Sequence, residues 1–304
     1  MRKYIISDIH GNGNLYYAIM SYLDNISLEE NIILYINGDL IDRGIESGEI
    51  LLDVIRRIKE NNPRFKIVYL GGNHEDMMYK YYQDKLNGKI DYFNLWYENG
   101  GWQTDYALED LLSDQEILEV VDFIGNLDLY YVFREKINNK NIVLAHAACP
   151  KNPHNTCDIK IKDNQEYLNY LLWSRKKDLY VPNIVGNKHY FAVVGHTPND
   201  HPFGFVYDEE DNFLNIDGGS AMYVQGLFQY DHYPLVEIKN NYLKVLTFNN
   251  NNEIIYGNYF KDGNIIPFNR EELIKERNYL NSDFHPKKLI KLEDGIIGYH
   301  DWIK

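Results

Sequence analysis

Short apolar runs that end in polar residues recur along the first 220 residues of the chain. They are rich in Ile, Val, Tyr and Phe, and each run is too short for a typical helix. This pattern predicts buried β-strands at residues 4–7, 32–37, 65–72, 141–147, 190–196 and 212–219.

Helical spacing occurs between these runs, most clearly at residues 46–62. Ile50, Val54 and Ile58 recur there on one face, and Pro63 ends the segment. Strands that alternate with helices predict an α/β fold built in layers. In such folds ligands bind beyond the carboxyl ends of the strands, so we expect the functional residues there.

Residues 77–130 interrupt this alternation and predict a helical insertion that is rich in aromatic residues. We expect these side chains to pack together in a small helical cap, and the alternative is that they line a substrate cleft. The aromatic residues in question are Tyr79, Tyr81, Tyr82, Tyr92, Phe93 and Trp96.

The last part of the chain has a different pattern. Residues 235–248 predict two strands around an Asn-Asn turn, and the four Asn residues at 249–252 are typical of a linker. Beyond them, Asp262 and Gly263 predict a hairpin, and Asn269 with Glu272 predicts a capping box at a helix start. We therefore divide the chain into a catalytic domain at 1–248 and a C-terminal extension at 249–304, whose role the sequence leaves open.

Charge and cysteine content narrow the class of protein. The chain has 31 Lys and Arg against 45 Asp and Glu, a formal charge of −14, which argues against a nucleic-acid partner. Cys149 and Cys157 are too few for a disulfide framework. No apolar run approaches the roughly 18 residues that cross a bilayer. These features predict a cytoplasmic enzyme or binding protein with no membrane partner.

Side chains that can bind metal follow five successive predicted strands. They are Asp8 and His10, Asp39, Asn73 with His74, His146, and His196. In an extended segment Asp8 and His10 would point to the same side, as two ligands of one cation require. Mixed oxygen and imidazole ligands favour Mn, Fe or Zn over Ca or Mg. Two cations that share Asp39 would supply a metal-bound hydroxide for direct attack on phosphorus, while Arg43 and a second arginine hold the remaining phosphate oxygens.

The order of these motifs resembles a known family. DIHG, GDLIDRG, GNHE, a later HA and a later GHT are similar to the phosphoprotein phosphatase branch of the calcineurin-like metallophosphoesterases, in particular to bacterial and phage protein serine/threonine phosphatases. The resemblance covers about residues 1–248, and it includes YENGGWQTDY at 97–106 and LLWSR at 171–175. It implies a β-sandwich of two mixed sheets flanked by helices, with the helical insertion and the C-terminal extension added.

The resemblance also implies a role for each motif residue. One divalent metal ion would be held by Asp8, His10 and Asp39, and a second by Asp39, Asn73, His146 and His196. His74 would be the general acid, oriented by Asp42, and Arg43 and Arg175 would bind phosphate. We expect both ions to be Mn, with Fe or Zn as alternatives. The segment IDGGSAMY at 216–223 departs from the DTGA-like sequence of bacterial members, so Asp217 is left out of the predicted site.

These features together predict hydrolysis of phosphate monoesters, with phosphoserine or phosphothreonine in a protein as the expected substrate and a small phosphorylated molecule as the other possibility. The alternatives are a diadenosine polyphosphate hydrolase or a phosphodiesterase that uses the same site. A non-catalytic binding module is disfavoured, because none of the expected ligands is missing. Asp42 favours a monoester substrate, since symmetrically cleaving diadenosine tetraphosphate hydrolases usually lack the aspartate of DRG.

Overall fold

The computed structural model describes residues 1–153, 164–175, 185–227, 232–280, 287–291 and 297–301. The helices in these ranges are α1 (Gly13–Glu29), α2 (Ser47–Glu60), α3 (Asn73–Leu86), α4 (Phe93–Glu98), α5 (Gly101–Leu111), α6 (Asp114–Gly125), α7 (Gln165–Trp173), α8 (Ser220–Val224) and α9 (Arg270–Arg277). The strands in these ranges are β1 (Arg2–Ile6), β2 (Ile32–Asn37), β3 (Phe65–Leu70), β4 (Tyr130–Ile137), β5 (Lys140–Ala145), β6 (Tyr190–Val194), β7 (Val206–Asp208), β8 (Phe213–Asn215), β9 (Tyr233–Lys239), β10 (Tyr242–Phe248), β11 (Ile254–Lys261), β12 (Asn264–Pro267), β13 (Lys287–Lys291) and β14 (Ile297–Asp301).

The strands form two mixed sheets and a separate two-stranded sheet, β13–β14. The larger sheet has the order β12-β11-β10-β9-β1-β2-β3, in which β1, β2 and β3 run parallel and the remaining neighbours are antiparallel. The second sheet has the order β4-β5-β6-β8-β7, and β5, β6 and β8 run parallel at its centre. Each sheet therefore contributes three parallel strands whose carboxyl ends can carry functional loops.

The two sheets pack face to face, and helices cover their outer faces. Alternation along β1 shows this directly, because Ile5 belongs to the cluster between the sheets, whereas Tyr4 and Ile6 belong to the cluster beneath the helices. Helices α1 and α2 and the helical insertion cover the larger sheet, and α7 covers the second sheet through Leu171. This arrangement confirms the predicted sandwich of two mixed sheets flanked by helices.

The predicted strands are all present, and several further elements were not predicted, among them α1 and β4. Most of α1 is buried, so it lacks the polar face that marks an amphipathic helix in a sequence. Strand β4 begins where the predicted insertion ends, and its Arg134, Glu135 and Lys136 interrupt the apolar pattern. The insertion itself is helical as predicted, from α3 to α6. Among the described residues, no helix combines the length and the apolar character that spanning a bilayer requires.

The C-terminal part of the chain extends the larger sheet. Strand β11 pairs with β10, the predicted hairpin joins β11 to β12, and Phe260 packs between the two sheets. The predicted capping box of Asn269 and Glu272 is present at the start of α9. The Asn run at 249–252 connects two neighbouring strands, so the linker interpretation was wrong. The division of function at residue 248 stays a prediction. Cys149 is buried, and Cys157 lies outside the described residues.

Candidate active site

The predicted site residues meet at one edge of the sandwich. They follow β1, β2 and β3 of the larger sheet and β5 and β6 of the second sheet, as parallel strands at the centre of each sheet require. Those that are buried there are Asp8, His10, Asp39, Asp42, Asn73, His74, His146 and His196.

The first loop reaches the site by a different route from the one expected. Strand β1 ends at Ile6, and Asp8 and His10 have φ angles of 54° and 49°, so the extended segment assumed from the sequence was wrong. Their backbone N–H groups donate to the backbone carbonyl oxygens of Gly38 and Asp39, at 3.2 and 3.0 Å. A positive φ is unfavourable for residues other than glycine, and such residues cluster at functional sites. The backbone hydrogen bonds therefore hold the loop after β1 against the loop after β2, in spite of these unfavourable φ angles.

Asp39 lies at the centre of the cluster. Its Oδ2 is 3.4 Å from Nε2 of His10, and its Oδ1 is 3.3 Å from Nε2 of His146. Nε2 of His74 lies 3.9 Å from Oδ2. Burial alone would raise the pKa of Asp39, but His146 and His74 hold it well below its usual value. The carboxylate is therefore ionised and is shared by imidazoles on both sides.

Asn73 joins the two histidines of the second sheet. Its Oδ1 lies 2.9 Å from Nε2 of His146 and 2.9 Å from Nδ1 of His196. The backbone N–H of His196 donates to Oδ1 of Asp8 at 3.0 Å, and Ser7 donates to the other oxygen of Asp8. Loops from both sheets therefore converge on one small buried volume.

This donor set fits metal ions. Within the described part of the chain, His10, Asp39 and His74 form one group with ligand atoms within 4.8 Å of one another, and Asp39, His146 and His196 form another. Nε2 of His196 is buried and has no hydrogen-bond partner among the described residues. An unpaired imidazole nitrogen beside a shared carboxylate is costly unless a further group binds there. The residues present could hold two ions that share Asp39.

His74 forms a buried pair with Asp42. Nδ1 of His74 lies 2.6 Å from Oδ2 of Asp42, and both side chains are inaccessible to solvent. Burial raises the pKa of Asp42 to about 7, while hydrogen bonds from Thr104 and Trp96 act in the opposite direction. Burial also lowers the pKa of His74 to about 4. This geometry leaves Nε2 of His74 as the nitrogen that faces away from Asp42.

Arg43 is partly buried and contacts two of the site histidines. Its Nη2 is 3.1 Å from Nε2 of His74, and its Nη1 is 3.5 Å from Nε2 of His10. The backbone N–H of Arg43 donates to the backbone carbonyl oxygen of Gly100 at 3.0 Å. Gly100 has a φ of 91°, and a Cβ there would lie 2.8 Å from Cγ of Arg43. The NGG segment of the insertion therefore fits against this arginine closely enough to require glycine.

Arg175 lies two residues beyond the end of α7. It is exposed, whereas Trp173 packs its ring 5.9 Å from that of His196. Burial lowers the pKa of His196, and the charges of His146 and Arg175 lower it further. The positive charge of Arg175 therefore favours the neutral form of His196.

Sequence reasoning missed Glu75 as a site residue, although it completes the GNHE motif. Its Oε2 accepts from the backbone N–H groups of Asp39 and Gly72, both at 2.8 Å. Its Oε1 accepts from the N–H of Leu40 at 3.0 Å and from the hydroxyl of Tyr69 at 2.7 Å. One buried carboxylate thus joins the loops that follow β2 and β3. A glutamate directly after two candidate ligands was the available signal.

Asp217 was left out because of its unusual motif, yet the structure buries it beside the site, two residues after β8. Its Oδ1 accepts from the N–H of Gly219 at 2.9 Å. Burial raises the pKa of Asp8, and the charge of Asp217 raises it further. The two carboxyl groups are therefore close enough to interact, so Asp217 belongs to the electrostatic surroundings of the site.

The chain is similar to one protein family and to two curated proteins. The family described as calcineurin-like phosphoesterase matches residues 1–226. The chain is 28% identical over 156 residues to the asymmetrical bis(5'-nucleosyl)-tetraphosphatase PrpE of Halalkalibacterium halodurans, covering 47% of this chain and 55% of that protein. It is 27% identical over 148 residues to the symmetrical bis(5'-nucleosyl)-tetraphosphatase of Buchnera aphidicola, covering 48% and 44%. The chain thus spans about half the length of these curated relatives.

Two solved structures are also similar. A putative diadenosine tetraphosphatase is 16% identical with a TM-score of 0.46, covering 88% of this chain and 92% of that one. A protein serine/threonine phosphatase from Saccharomyces cerevisiae is 13% identical with a TM-score of 0.47, covering 78% and 72%. The family match extends over most of the chain and includes every strand that carries a candidate ligand. The chain belongs to the calcineurin-like phosphoesterase family.

Proposed function

We propose that this chain hydrolyses phosphate monoesters at a centre of two divalent cations. Asp8, His10 and Asp39 would hold one cation, and Asp39, Asn73, His146 and His196 the other. The observation that carries the proposal is the position of the ionised Asp39, whose oxygens lie within 4.8 Å of ligand nitrogens of His10 on one side and of His146 and His196 on the other. Cations bound there would polarise phosphoryl oxygens and lower the pKa of a coordinated water. Mixed carboxylate and imidazole donors favour Mn, with Fe or Zn as alternatives.

His74 is the proposed proton donor to the leaving oxygen. Nδ1 is engaged by Asp42 at 2.6 Å, so Nε2 is the atom that can exchange a proton with substrate. Arg43 contacts that same nitrogen at 3.1 Å, so its guanidinium could bind the phosphate group whose leaving oxygen accepts the proton from His74. An arginine can bind two phosphate oxygens at once, and Arg175 supplies a second positive charge near His196.

We infer that the preferred substrates are alkyl phosphate monoesters, with phosphoserine or phosphothreonine of a protein as the leading class. An alkoxide is a poor leaving group, so it gains most from a positioned acid such as His74. Dinucleoside polyphosphates are the second candidate class, because both curated relatives bear the name of a bis(5'-nucleosyl)-tetraphosphatase.

A comparison of substrates with one variant tests this proposal. The Mn-loaded enzyme and His74→Asn are assayed on a phosphoserine peptide, 4-nitrophenyl phosphate and diadenosine tetraphosphate. We expect His74→Asn to lower kcat on the peptide by about 10²–10⁴, and by much less on the nitrophenyl ester, whose leaving group needs little protonation. Metal content should be unchanged. A dinucleotide hydrolysed far faster than any phosphopeptide would overturn the monoester assignment, and equal losses on both monoesters would overturn the role of His74.

A further inference from the structure

The helical insertion donates two hydrogen bonds to Asp42, the carboxylate that contacts the candidate proton donor His74. Nε1 of Trp96 donates to Oδ2 of Asp42 at 2.9 Å, and the hydroxyl of Thr104 donates to Oδ1 at 2.6 Å. The backbone N–H of Asp42 in turn donates to the Thr104 hydroxyl at 3.0 Å. Trp96, Thr104 and Asp42 are all fully buried. Polar groups from the insertion therefore hold both oxygens of the carboxylate that contacts His74.

These bonds hold Asp42 in place as an acceptor. An indole N–H can only donate, so Oδ2 of Asp42 must accept from Trp96. The Thr104 hydroxyl accepts from the backbone, which leaves its own proton for Oδ1. These two donors favour the ionised carboxylate and so oppose the burial that raises the pKa of Asp42. Nδ1 of His74 is then occupied by Oδ2 of Asp42 at 2.6 Å, and Nε2, which Arg43 contacts at 3.1 Å, is the nitrogen on the side away from Asp42.

The rest of the insertion supports Trp96 and Thr104. The rings of Tyr81, Tyr82 and Tyr97 lie 4.8, 6.0 and 5.9 Å from the ring of Trp96. The hydroxyl groups of these tyrosines all donate to Asp105, the buried residue directly after Thr104. The aromatic cluster thus fixes the indole by packing and fixes the first turns of α5 through one carboxylate.

We propose that Trp96 and Thr104 are positioning residues for the hydrolytic reaction. They hold Asp42, which fixes the His74 ring through Nδ1 and directs Nε2, the atom that gives its proton to the leaving oxygen, towards the substrate. This inference rests on the proposed function. It assigns the aromatic insertion a role beyond packing, since a cap that only packs has no need to direct two buried donors at one carboxylate.

Four substitutions test the proposal. Trp96→Phe keeps an aromatic ring but removes the N–H, and Thr104→Val keeps the shape but removes the hydroxyl. Thr104→Ser restores the hydroxyl. Trp102→Phe is the matched control, because Trp102 is on α5 but is 44% exposed. We expect Trp96→Phe and Thr104→Val to lower kcat on a phosphoserine peptide by about tenfold, since each loses one hydrogen bond to a charged group. The loss should be small on 4-nitrophenyl phosphate, and Thr104→Ser and Trp102→Phe should resemble the wild type.

A second measurement does not depend on turnover. In the metal-free protein, the proton shared by His74 and Asp42 should give a low-field proton NMR resonance that disappears in His74→Asn. Trp96→Phe and Thr104→Val should shift this resonance, whereas Trp102→Phe should not. Equal losses of kcat on both substrates, or a resonance that none of the variants moves, would overturn the positioning role. If the wild type did not hydrolyse monoesters, the proposed function would fail, and the NMR measurement would still decide whether the insertion holds Asp42.

Discussion

Replacing Glu75 with Gln removes a charged acceptor at the point where the loops that follow β2 and β3 meet. The present carboxylate accepts four hydrogen bonds, three of them from backbone N–H groups. The Gln side chain has only one acceptor oxygen. It can face the N–H groups of Asp39 and Gly72, which places its own NH₂ group against the N–H of Leu40. Tyr69 can adapt, because its hydroxyl can also accept.

The expected cost follows from these contacts. The unpaired N–H of Leu40 costs about 1–3 kcal/mol, and replacing two charge-assisted bonds with neutral ones costs about 1 kcal/mol each. Relief of the buried charge offsets part of this loss, since burial raises the pKa of Glu75. We therefore expect the free energy of unfolding to fall by about 2–4 kcal/mol, a substantial part of the stability of an ordinary domain.

Urea denaturation followed by circular dichroism measures this free energy by linear extrapolation. Glu119→Gln is the control, because Glu119 is exposed on α6 and its loss should change stability by less than about 0.5 kcal/mol. Calorimetric titration with Mn should show weaker binding to Glu75→Gln, because the loop that carries Asp39 is released. A variant as stable as Glu119→Gln, with unchanged metal affinity, would refute the idea that Glu75 joins the loops.

Three further predictions follow from the same structure. Asp39→Asn should lose both metal ions in an elemental analysis of the dialysed protein, because the carboxylate is shared, and retention of one ion would contradict that sharing. Burial raises the pKa of Glu237, but hydrogen bonds and nearby positive charges, foremost those of Arg2, hold it below the ordinary 4.5. The ionised Glu237 therefore stabilises the fold above pH 4.5, and this stabilisation is lost as the pH falls through the lower pKa of the folded state. Glu237→Gln should flatten the fall of Tm in acid. A Tm curve identical to that of the wild type would argue against a stabilising role of the Glu237 charge. Gly100→Ala should raise KM for phosphate esters by displacing Arg43, and an unchanged KM would show that the close contact has no effect on substrate binding.

Local pattern alone determined much of the fold and of the candidate site. The run at 32–37 coincides with β2, because a strand buried in the core of a sandwich is apolar over its whole length. The capping box of Asn269 and Glu272 depends on residues three apart in the chain, so the sequence alone could predict it. The candidate ligands could be found because each follows a predicted strand end, and parallel strands bring their carboxyl ends to one edge.

Only the tertiary structure decided how those residues act together. Trp96 and Thr104 lie 54 and 62 residues from Asp42, and no periodic pattern connects them with it. The positive φ angles of Asp8 and His10 arise from packing against the loop after β2, so a strand pattern could not predict them. The Asn run at 249–252 has the composition of a linker, but pairing of β10 with β11 makes it a turn within one sheet. Local spacing specifies elements and their ends, whereas burial and hydrogen bonding between distant segments determine which side chains meet.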